Sequence, residues 1–326
     1  MLPELDKTDF KILYELDKSI RTPHSKIAKE VHLSKQAVKK RIDKLINKKI
    51  ITKFITIIDS SNFGIVPTQT FVSLNPASRD QIDEFVNYLT NNKDIAQVTT
   101  CEGVYDLYFG IAGPNLHEID IKLSEIFTKF PHLINHKITL PMIDTRLFPR
   151  DYLIDAPRQI MTKNRGFHSR SKENYKIKEI DKKILFELSN DPMTTVVEIA
   201  KKISFPLQTV IHRKKYLEEN GIIRGYMYLL NERMFIQYEL LLEINHLTPD
   251  LELKLLQYFA SNPNVLFIVK YFGEYTFSVI IETKDLQDYR RFSEDFKNNF
   301  SKNIKRFIPL MVHEIKKINF FFQELE

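Results

Sequence analysis

The chain contains a long internal repeat. Residues 5–54 align without a gap with residues 177–226, and 16 of the 50 positions are identical. A weaker match follows each copy, where Gly103-Val104-Tyr105 corresponds to Gly273-Glu274-Tyr275. Because a repeat of this kind reflects one structural unit built twice, the chain must fold as two copies of a two-part unit.

Composition limits the class of protein further. The 326 residues are 43% hydrophobic and 28% charged, which is typical of a folded globular chain. Neither G-x-G-x-x-G nor G-K-[ST] occurs, so a glycine-rich phosphate loop is not expected. The net charge of +6 is moderate, and its position along the chain matters more than its size.

The sequence offers little support for metal, disulfide or membrane chemistry. Cys101 is the single cysteine, which excludes an intrachain disulfide and a cysteine-clustered zinc site. The nine histidines are scattered, so we predict no catalytic residues, no metal site and no cofactor. No apolar run approaches 18 residues, and the first residues do not resemble a secretion signal, so we expect no membrane span and a cytoplasmic location.

Three helices and a strand are predicted at the start of each copy. Asp6 has N-cap spacing for a first helix over about 7–17, and Thr22-Pro23 is a second helix start. Ser34 caps a third helix after a gap of about three residues, which is helix-turn-helix spacing. A strand over 51–58 follows and is expected to form one side of a small wing.

The outer face of the third helix is strongly basic. Since the second helix of a helix-turn-helix lies in the major groove, Lys35, Gln36 and Lys39 are candidates for base readout. The candidates for phosphate contact are Lys40, Arg41 and Lys44, beside the capping Ser34. In the second copy the candidates are Gln208, His212, Arg213, Lys214 and Lys215. There Pro206-Leu207 replaces Ser34-Lys35, so weaker or different DNA binding is expected.

The second part of each copy alternates strands and helices in the order βαββαβ, which is the ferredoxin-like motif. We therefore predict an α+β fold in which two winged helix-turn-helix domains alternate with two ferredoxin-like domains. The free sheet faces are expected to pack on each other. The predicted domains are 1–60 and 177–232 for DNA binding, and 65–148 and 235–326 for assembly and effector binding. Residues 149–176 are predicted to be an exposed linker, because 158–178 holds seven basic residues and one acid.

A known family shares this combination of motifs. The matching residues are Leu5-Asp6-x-x-Asp9-x-x-Ile12-Leu13, Ile27-Ala28, Ser34-x-x-Ala37-Val38-x-x-Arg41-Ile42-x-x-Leu45, Ile50-Ile51 and Gly103-x-x-Asp106. The pattern resembles the Lrp/AsnC, or feast/famine, family of transcription regulators over nearly both copies. The resemblance implies a DNA-binding domain followed by a ligand-sensing domain, often called a RAM domain, that pairs protomers and builds higher oligomers.

In that family small effectors, usually amino acids, bind at the loop between the middle strands of the second domain. The resemblance places this site at Glu102, Gly103, Val104, Tyr105 and Asp106. Asp106 either accepts from an effector's ammonium group or holds the loop in place. Because the chain carries two units, we expect a single-chain pseudo-dimer that binds double-stranded DNA with an asymmetric operator, and homo-oligomerisation through the βαββαβ domains is open.

Two other functions are possible. The siroheme decarboxylases resemble the same family, but their middle strands carry a histidine, and here 102–109 contains none. A third possibility is an interaction protein whose helix-turn-helix no longer binds DNA. The lysines on the third helix of the first copy argue against it. We therefore expect a regulator and not an enzyme.

Overall fold

The computed structural model describes residues 4–155, 158, 166 and 177–321. The first copy consists of α1 (Lys7–Lys18), α2 (His24–Glu30), α3 (Lys35–Asn47), β1 (Ile51–Ile58), β2 (Val66–Leu74), α4 (Arg79–Asn91), β3 (Ile95–Glu102), β4 (Leu107–Gly113), α5 (Leu116–Thr128) and β5 (Ile134–Leu147). The second copy consists of α6 (Glu179–Asn190), α7 (Val196–Ile203), α8 (Leu207–Glu219), β6 (Ile223–Leu230), β7 (Ile236–Ile244), α9 (Pro249–Ser261), β8 (Val265–Tyr271), β9 (Phe277–Thr283), α10 (Leu286–Phe300) and β10 (Ile304–Ile318). The predicted α+β fold, with two helix-turn-helix domains alternating with two βαββαβ domains, is confirmed. Within the described residues, no helix is both long enough and apolar enough to cross a membrane.

Polar side chains fix where most of these helices begin. Asp6 accepts from the backbone N–H of Asp9 at 2.8 Å, and Thr195 accepts from Glu198 at 3.3 Å. Each satisfies a donor that the first turn of a helix leaves unpaired. The predicted cap at Thr22 is wrong by one residue, because Pro23 occupies the N-cap of α2 and provides no side-chain hydrogen bond.

The two helix-turn-helix domains share one antiparallel ribbon formed by β1 and β6. Ile51 lies opposite Leu230, and Ile58 lies opposite Ile223. Since the repeat offset makes Ile223 the equivalent of Ile51, this register has the symmetry of a two-fold axis. The predicted strand therefore exists, and its partner comes from the other copy. The same symmetry relates α3 to α8.

The two βαββαβ sheets close into one eight-stranded barrel. Its strand order is β10-β3-β4-β2-β5-β8-β9-β7, with β5 paired to β8 and β3 paired to β10. Helices α4 and α5 cover the outside of the first sheet, and α9 and α10 cover the outside of the second. The inner faces meet in a separate core that includes Phe71, Tyr108, Leu241 and Tyr271. The expected packing of one sheet on the other is confirmed, and edge pairing strengthens it.

The segment after β5 is not the exposed linker that its charge pattern predicted. Residues 151–154 form a short 3-10 helix, and Tyr152 and Leu153 are buried in the core of the two helix-turn-helix domains. Arg158 is 6% exposed and donates to Asp151 at 2.7 Å. This arginine is buried because its charge is paired inside the protein. Within 156–176 the structure describes only Arg158 and Gly166, so the remainder of the predicted linker lies outside the described residues.

Candidate nucleic-acid interface and effector loops

The basic helix α3 is held by packing on one side and by a cap at its start. Val38, Ile42 and Leu45 are buried. The turn before the helix passes through His32, whose φ of 54° lies in the left-handed region. The Ser34 hydroxyl then accepts from the Ala37 N–H at 3.1 Å. These constraints fix which face of α3 points outward, and they give Ser34 a structural role.

The outward face of α3 carries the predicted DNA contacts. Lys35, Gln36, Lys39, Lys40 and Lys44 are exposed there, and Asp43 is an exposed acid on the same helix. Among the residues that the structure describes, no carboxylate forms an ion pair with the lysines of this face. Their charges therefore remain available to an external anion.

Arg41 differs from these lysines, because it is already paired inside its own domain. Its guanidinium donates to Asp6 Oδ2 and to Asp9 Oδ1, each at 2.7 Å. The hydrogen bond from Arg41 lowers the pKa of Asp6 below its ordinary value. Since Asp9 is buried, this ion pair joins α3 to α1. The prediction that Arg41 clamps a DNA phosphate is therefore not supported by its position.

Two of the basic residues predicted on α8 are paired in the same way. Arg213 donates to the buried Asp181 at 2.8 and 2.6 Å, and Lys214 pairs with Glu218. Gln208, His212 and Lys215 are exposed, although Lys215 lies 3.6 Å from Glu219. Helix α8 thus offers fewer free positive charges than α3, as the sequence predicted.

The internal repeat contained the signal for these ion pairs. Asp9 aligns with Asp181, and Arg41 aligns with Arg213. An acid and a base that are retained together in both copies, 32 residues apart, indicate a contact within the unit. The lysines of α3 that are predicted to contact DNA, in contrast, differ between the copies.

The predicted effector loop divides into an exposed part and a buried part. Glu102, Gly103, Val104 and Asp106 are exposed, whereas Tyr105 is 4% exposed and belongs to the inner core of the barrel. Asp106 accepts from the backbone N–H of Leu74 at 2.7 Å. This hydrogen bond favours the structural reading of Asp106, in which its carboxylate holds the loop against β2.

The second copy repeats this hydrogen bond with a different residue. Thr276, which aligns with Asp106, accepts from the N–H of Ile244 at 3.1 Å. A hydroxyl group thus replaces the carboxylate in the same structural role.

Each loop also packs against the last strand of the other copy. Gly103 has a φ of +150°, and a Cβ added there would lie 2.9 Å from Leu310 Cδ2. Gly273 has a φ of +144°, and its Cβ would lie 2.7 Å from Leu140 Cδ2. Glycine is required at both positions because of the backbone conformation and the close approach.

His136, which the sequence placed outside any site, stacks on Tyr105 with the ring centroids 6.2 Å apart.

Sequence reasoning missed a buried arginine that connects the DNA-binding half to the barrel. Arg150 is 3% exposed. It donates to Asp17 of α1 at 2.8 Å, and to Glu282 of β9 at 2.8 and 3.2 Å. The hydroxyl of Tyr152 donates to the same glutamate. Arg150 therefore links β9 of the barrel directly to the end of α1.

A second missed residue lies inside the barrel. Glu239 is fully buried, and Ser278 donates to it at 2.6 Å. Burial raises the pKa of Glu239 to about 7. The aligned residue of the first copy is the neutral Gln69, which accepts from Tyr271. The only sequence signal was a glutamate within the apolar run of β7.

Comparison with known proteins supports the reading of both halves. The model of the AsnC-type helix-turn-helix domain matches residues 5–46, and the model of a winged helix-turn-helix DNA-binding domain matches residues 177–224. The HTH-type transcriptional regulator LysM of Sulfurisphaera tokodaii is 31% identical over 125 residues, which are 38% of this chain and 86% of that protein. LysM of Saccharolobus solfataricus is 30% identical over 122 residues, which are 37% of this chain and 83% of that protein.

The whole tandem arrangement also has a counterpart among solved structures. The crystal structure of the siroheme decarboxylase NirDL superposes with a TM-score of 0.62, and covers 98% of this chain and 96% of its own. Its sequence identity of 16% shows a shared fold and no more. The regulators match one unit of the chain at higher identity. The chain therefore belongs to the Lrp/AsnC family of helix-turn-helix transcription regulators, in a form that carries two units in tandem.

Proposed function

We propose that the chain is a transcription regulator that binds double-stranded DNA as a single-chain pseudo-dimer. The observation that carries this proposal is the exposed basic face of α3 on a helix-turn-helix whose twin is related to it by the two-fold register of β1 and β6. Helices α3 and α8 then each face one half-site. Half-sites of such proteins lie about 34 Å apart, or one helical turn.

The operator is asymmetric, because the two reading helices carry different side chains. Lys35, Gln36 and Lys39 read bases in the first half-site, while Lys40 and Lys44 contact phosphates. Gln208 and His212 face the second half-site, and Lys215 contacts the phosphate backbone of that half-site. A palindromic site recovered as the best binder in a selection would contradict this arrangement.

An amino acid or a similar small metabolite is the proposed effector class. The exposed residues Glu102, Gly103, Val104 and Asp106 remain available to it, although one carboxylate oxygen of Asp106 also holds the loop, whereas Tyr105 is buried. Further association of chains would take place through the outer surfaces of the βαββαβ domains, since their sheet edges are paired within the chain. We place the protein in the cytoplasm, where it has access to the genome. We propose no enzymatic activity for it.

The proposal is tested by DNA binding at several salt concentrations. We expect the double charge reversal Lys39→Glu/Lys40→Glu to weaken binding to genomic fragments by at least tenfold. It should also lower the slope of log K against log salt by about 0.9 for each phosphate that the variant no longer neutralises. The control is Lys93→Glu/Lys302→Glu, which makes the same charge change at exposed positions on the barrel domains. Equal affinity for the two variants would favour an interaction protein that no longer binds DNA.

A siroheme decarboxylase activity is the alternative. The shared tandem fold favours it, and 102–109 lacks the histidine expected for such an enzyme, although His136 approaches Tyr105 from β5. Titration with an iron tetrapyrrole should leave its visible spectrum unchanged, and mass spectrometry should detect no decarboxylation. Turnover that is lost in His136→Ala would establish the enzyme and overturn the assignment as a pure regulator.

A further inference from the structure

The reading face of α8 is apolar where that of α3 is basic. Under the repeat offset, Leu207, Ile211 and Tyr216 take the places of Lys35, Lys39 and Lys44. Their side chains are not withdrawn into the core: Leu207 is 37% exposed and Ile211 is 38% exposed. Leu207 and Ile211, which lie one turn apart, thus replace two lysines with exposed hydrocarbon on one row of the helix, whereas Tyr216 lies on the opposite flank, where Arg213 packs over its ring.

The polar residues around this strip still suit a DNA major groove. Gln208 is exposed in the position of Gln36, and His212 is exposed in the position of Lys40. Lys201 and Lys215, at the two ends of the reading surface, are exposed and able to reach phosphates. The apolar strip itself is one helical row wide, which is narrower than the surfaces that mark protein interfaces.

The major groove offers one apolar feature, the C5-methyl group of thymine. Leucine and isoleucine side chains can contact it, and a glutamine can bond bidentately to the N6 and N7 atoms of adenine. Both features belong to the A·T base pair. Lysine, in contrast, pairs with the O6 and N7 atoms of guanine.

We infer that α8 recognises an A·T-rich half-site, with Leu207 and Ile211 against thymine methyl groups and Gln208 on adenine. Helix α3 reads a half-site that contains guanine through Lys35 and Lys39. This inference rests on the proposed DNA binding of the tandem protein. It assigns specificity in the second half-site to methyl contacts and the glutamine–adenine hydrogen bonds, and most of the electrostatic affinity to the first.

The test uses the full chain and the operator that it selects from random DNA. Replacing thymine by uracil removes only the C5-methyl group and keeps the hydrogen bonds of the base pair. We expect each replacement under α8 to weaken binding about threefold for each methyl group removed from the interface. The same replacement under α3 should leave the affinity within experimental error.

Two variants connect this effect to the named side chains. Leu207→Ala/Ile211→Ala should abolish the sensitivity to uracil, whereas Leu253→Ala, at an apolar position on α9 that is 55% exposed, should retain it. Leu207→Lys/Ile211→Lys should shift the preference of the second half-site toward the sequence of the first.

The outcomes separate this inference from the proposed function. A footprint on both half-sites without any effect of uracil would overturn the inference and leave the DNA-binding function intact. A footprint on the first half-site alone would overturn both the inference and the pseudo-dimer. If Leu207→Ala/Ile211→Ala changes the mass in light scattering and not the footprint, the strip is a protein contact and the inference is wrong.

Discussion

The hydroxyl groups of Tyr105 and Tyr275 lie 3.2 Å apart, although 170 residues separate them in the sequence. Their rings meet almost at right angles, with the centroids 6.5 Å apart. The two residues occupy equivalent places in the loops 102–106 and 272–276, so their contact lies on the pseudo-two-fold axis. Both tyrosines are buried, and burial raises the pKa of Tyr105 well above its ordinary value. The two loops are therefore in direct contact through these side chains.

This contact predicts a measurable coupling between the loops. Tyr105→Phe removes one hydroxyl and leaves the other buried without its partner, which should lower the free energy of unfolding by about 1 kcal/mol. In a double-mutant cycle, Tyr275→Phe should add little once Tyr105→Phe is present. Urea unfolding measures all four proteins. Strictly additive losses would show that the two hydroxyls do not interact.

The ion pairs on the first helices predict unequal costs in the two units. Asp181 is fully buried and Arg213 is 12% exposed in its side chain, whereas the side chain of Arg41 is 32% exposed. Asp9 is buried as well, but water reaches the more exposed pair of Arg41 and can take the place of its guanidinium. Arg213→Met should therefore cost about 3 kcal/mol, and Arg41→Met about 1 kcal/mol. Hydrogen exchange of α6 and α1 measures the two effects separately. Equal exchange in both variants would contradict the ranking.

Arg41→Met also tests which residues of α3 contact phosphate. Since its charge is paired internally, its loss should leave the salt slope of DNA binding unchanged. Lys40→Met, on the same helix, should lower that slope by about 0.9. A lower slope for both variants would show that Arg41 also contacts phosphate.

Glu239 predicts that stability depends on pH between about 4.5 and 7. Its pKa is about 7 in the folded chain against 4.5 for the ordinary group, so the folded state holds a proton that the unfolded state releases. The free energy of unfolding should therefore fall as pH rises through this interval, by about 3 kcal/mol in total, and level off above it. Cys101, Tyr108 and Tyr271, which interact with this charge, have pKa values raised by burial and stay neutral there.

Glu239→Gln provides the matched control, because glutamine occupies the aligned position 69. The variant should lose the pH dependence and be the more stable protein at pH 8. Denaturant unfolding at pH 5, 6, 7 and 8 measures both effects. A wild-type slope that persists in the variant would assign the proton to another group.

Arg150 predicts cooperative unfolding of the DNA-binding half and the barrel. Arg150→Met would leave Asp17 and Glu282 buried without their cation, which should cost about 3–5 kcal/mol. Because the arginine joins the two halves, calorimetry should also show one transition splitting into two. Arg79→Met, whose ion pair with Asp83 is exposed, should unfold like the wild type.

Local features of the fold were predictable from the sequence. The helix-turn-helix followed from the spacing of Asp6, Ser34 and the apolar residues behind them, because caps and helical period act over a few residues. The pairings of β1 with β6 and of β5 with β8 did not follow. Their partners lie more than 100 residues apart, and no nearby turn fixes the register.

The candidate site was predictable in composition and less so in geometry. Lys39 and Arg41 look alike in a basic helix, but only the fold shows that one faces solvent and the other faces Asp9. A guanidinium binds a carboxylate and a phosphate with the same geometry, so sequence alone could not separate these roles. Arg150 was similarly hidden in a segment whose charge pattern indicated exposure.

The pairing of β5 with β8 and of β3 with β10 leaves the barrel without an open edge strand. In a closed barrel every strand is satisfied within one polypeptide, so no place remains for a strand from a related regulator. These edges therefore cannot pair with another chain, which would combine helix-turn-helix domains encoded by different genes. Dilution cannot separate the two helix-turn-helix domains either, because they are covalently linked. Neither helix-turn-helix domain has to pair with an identical copy, so each is free to diverge. This explains how lysine on α3 and leucine on α8 can persist in one molecule.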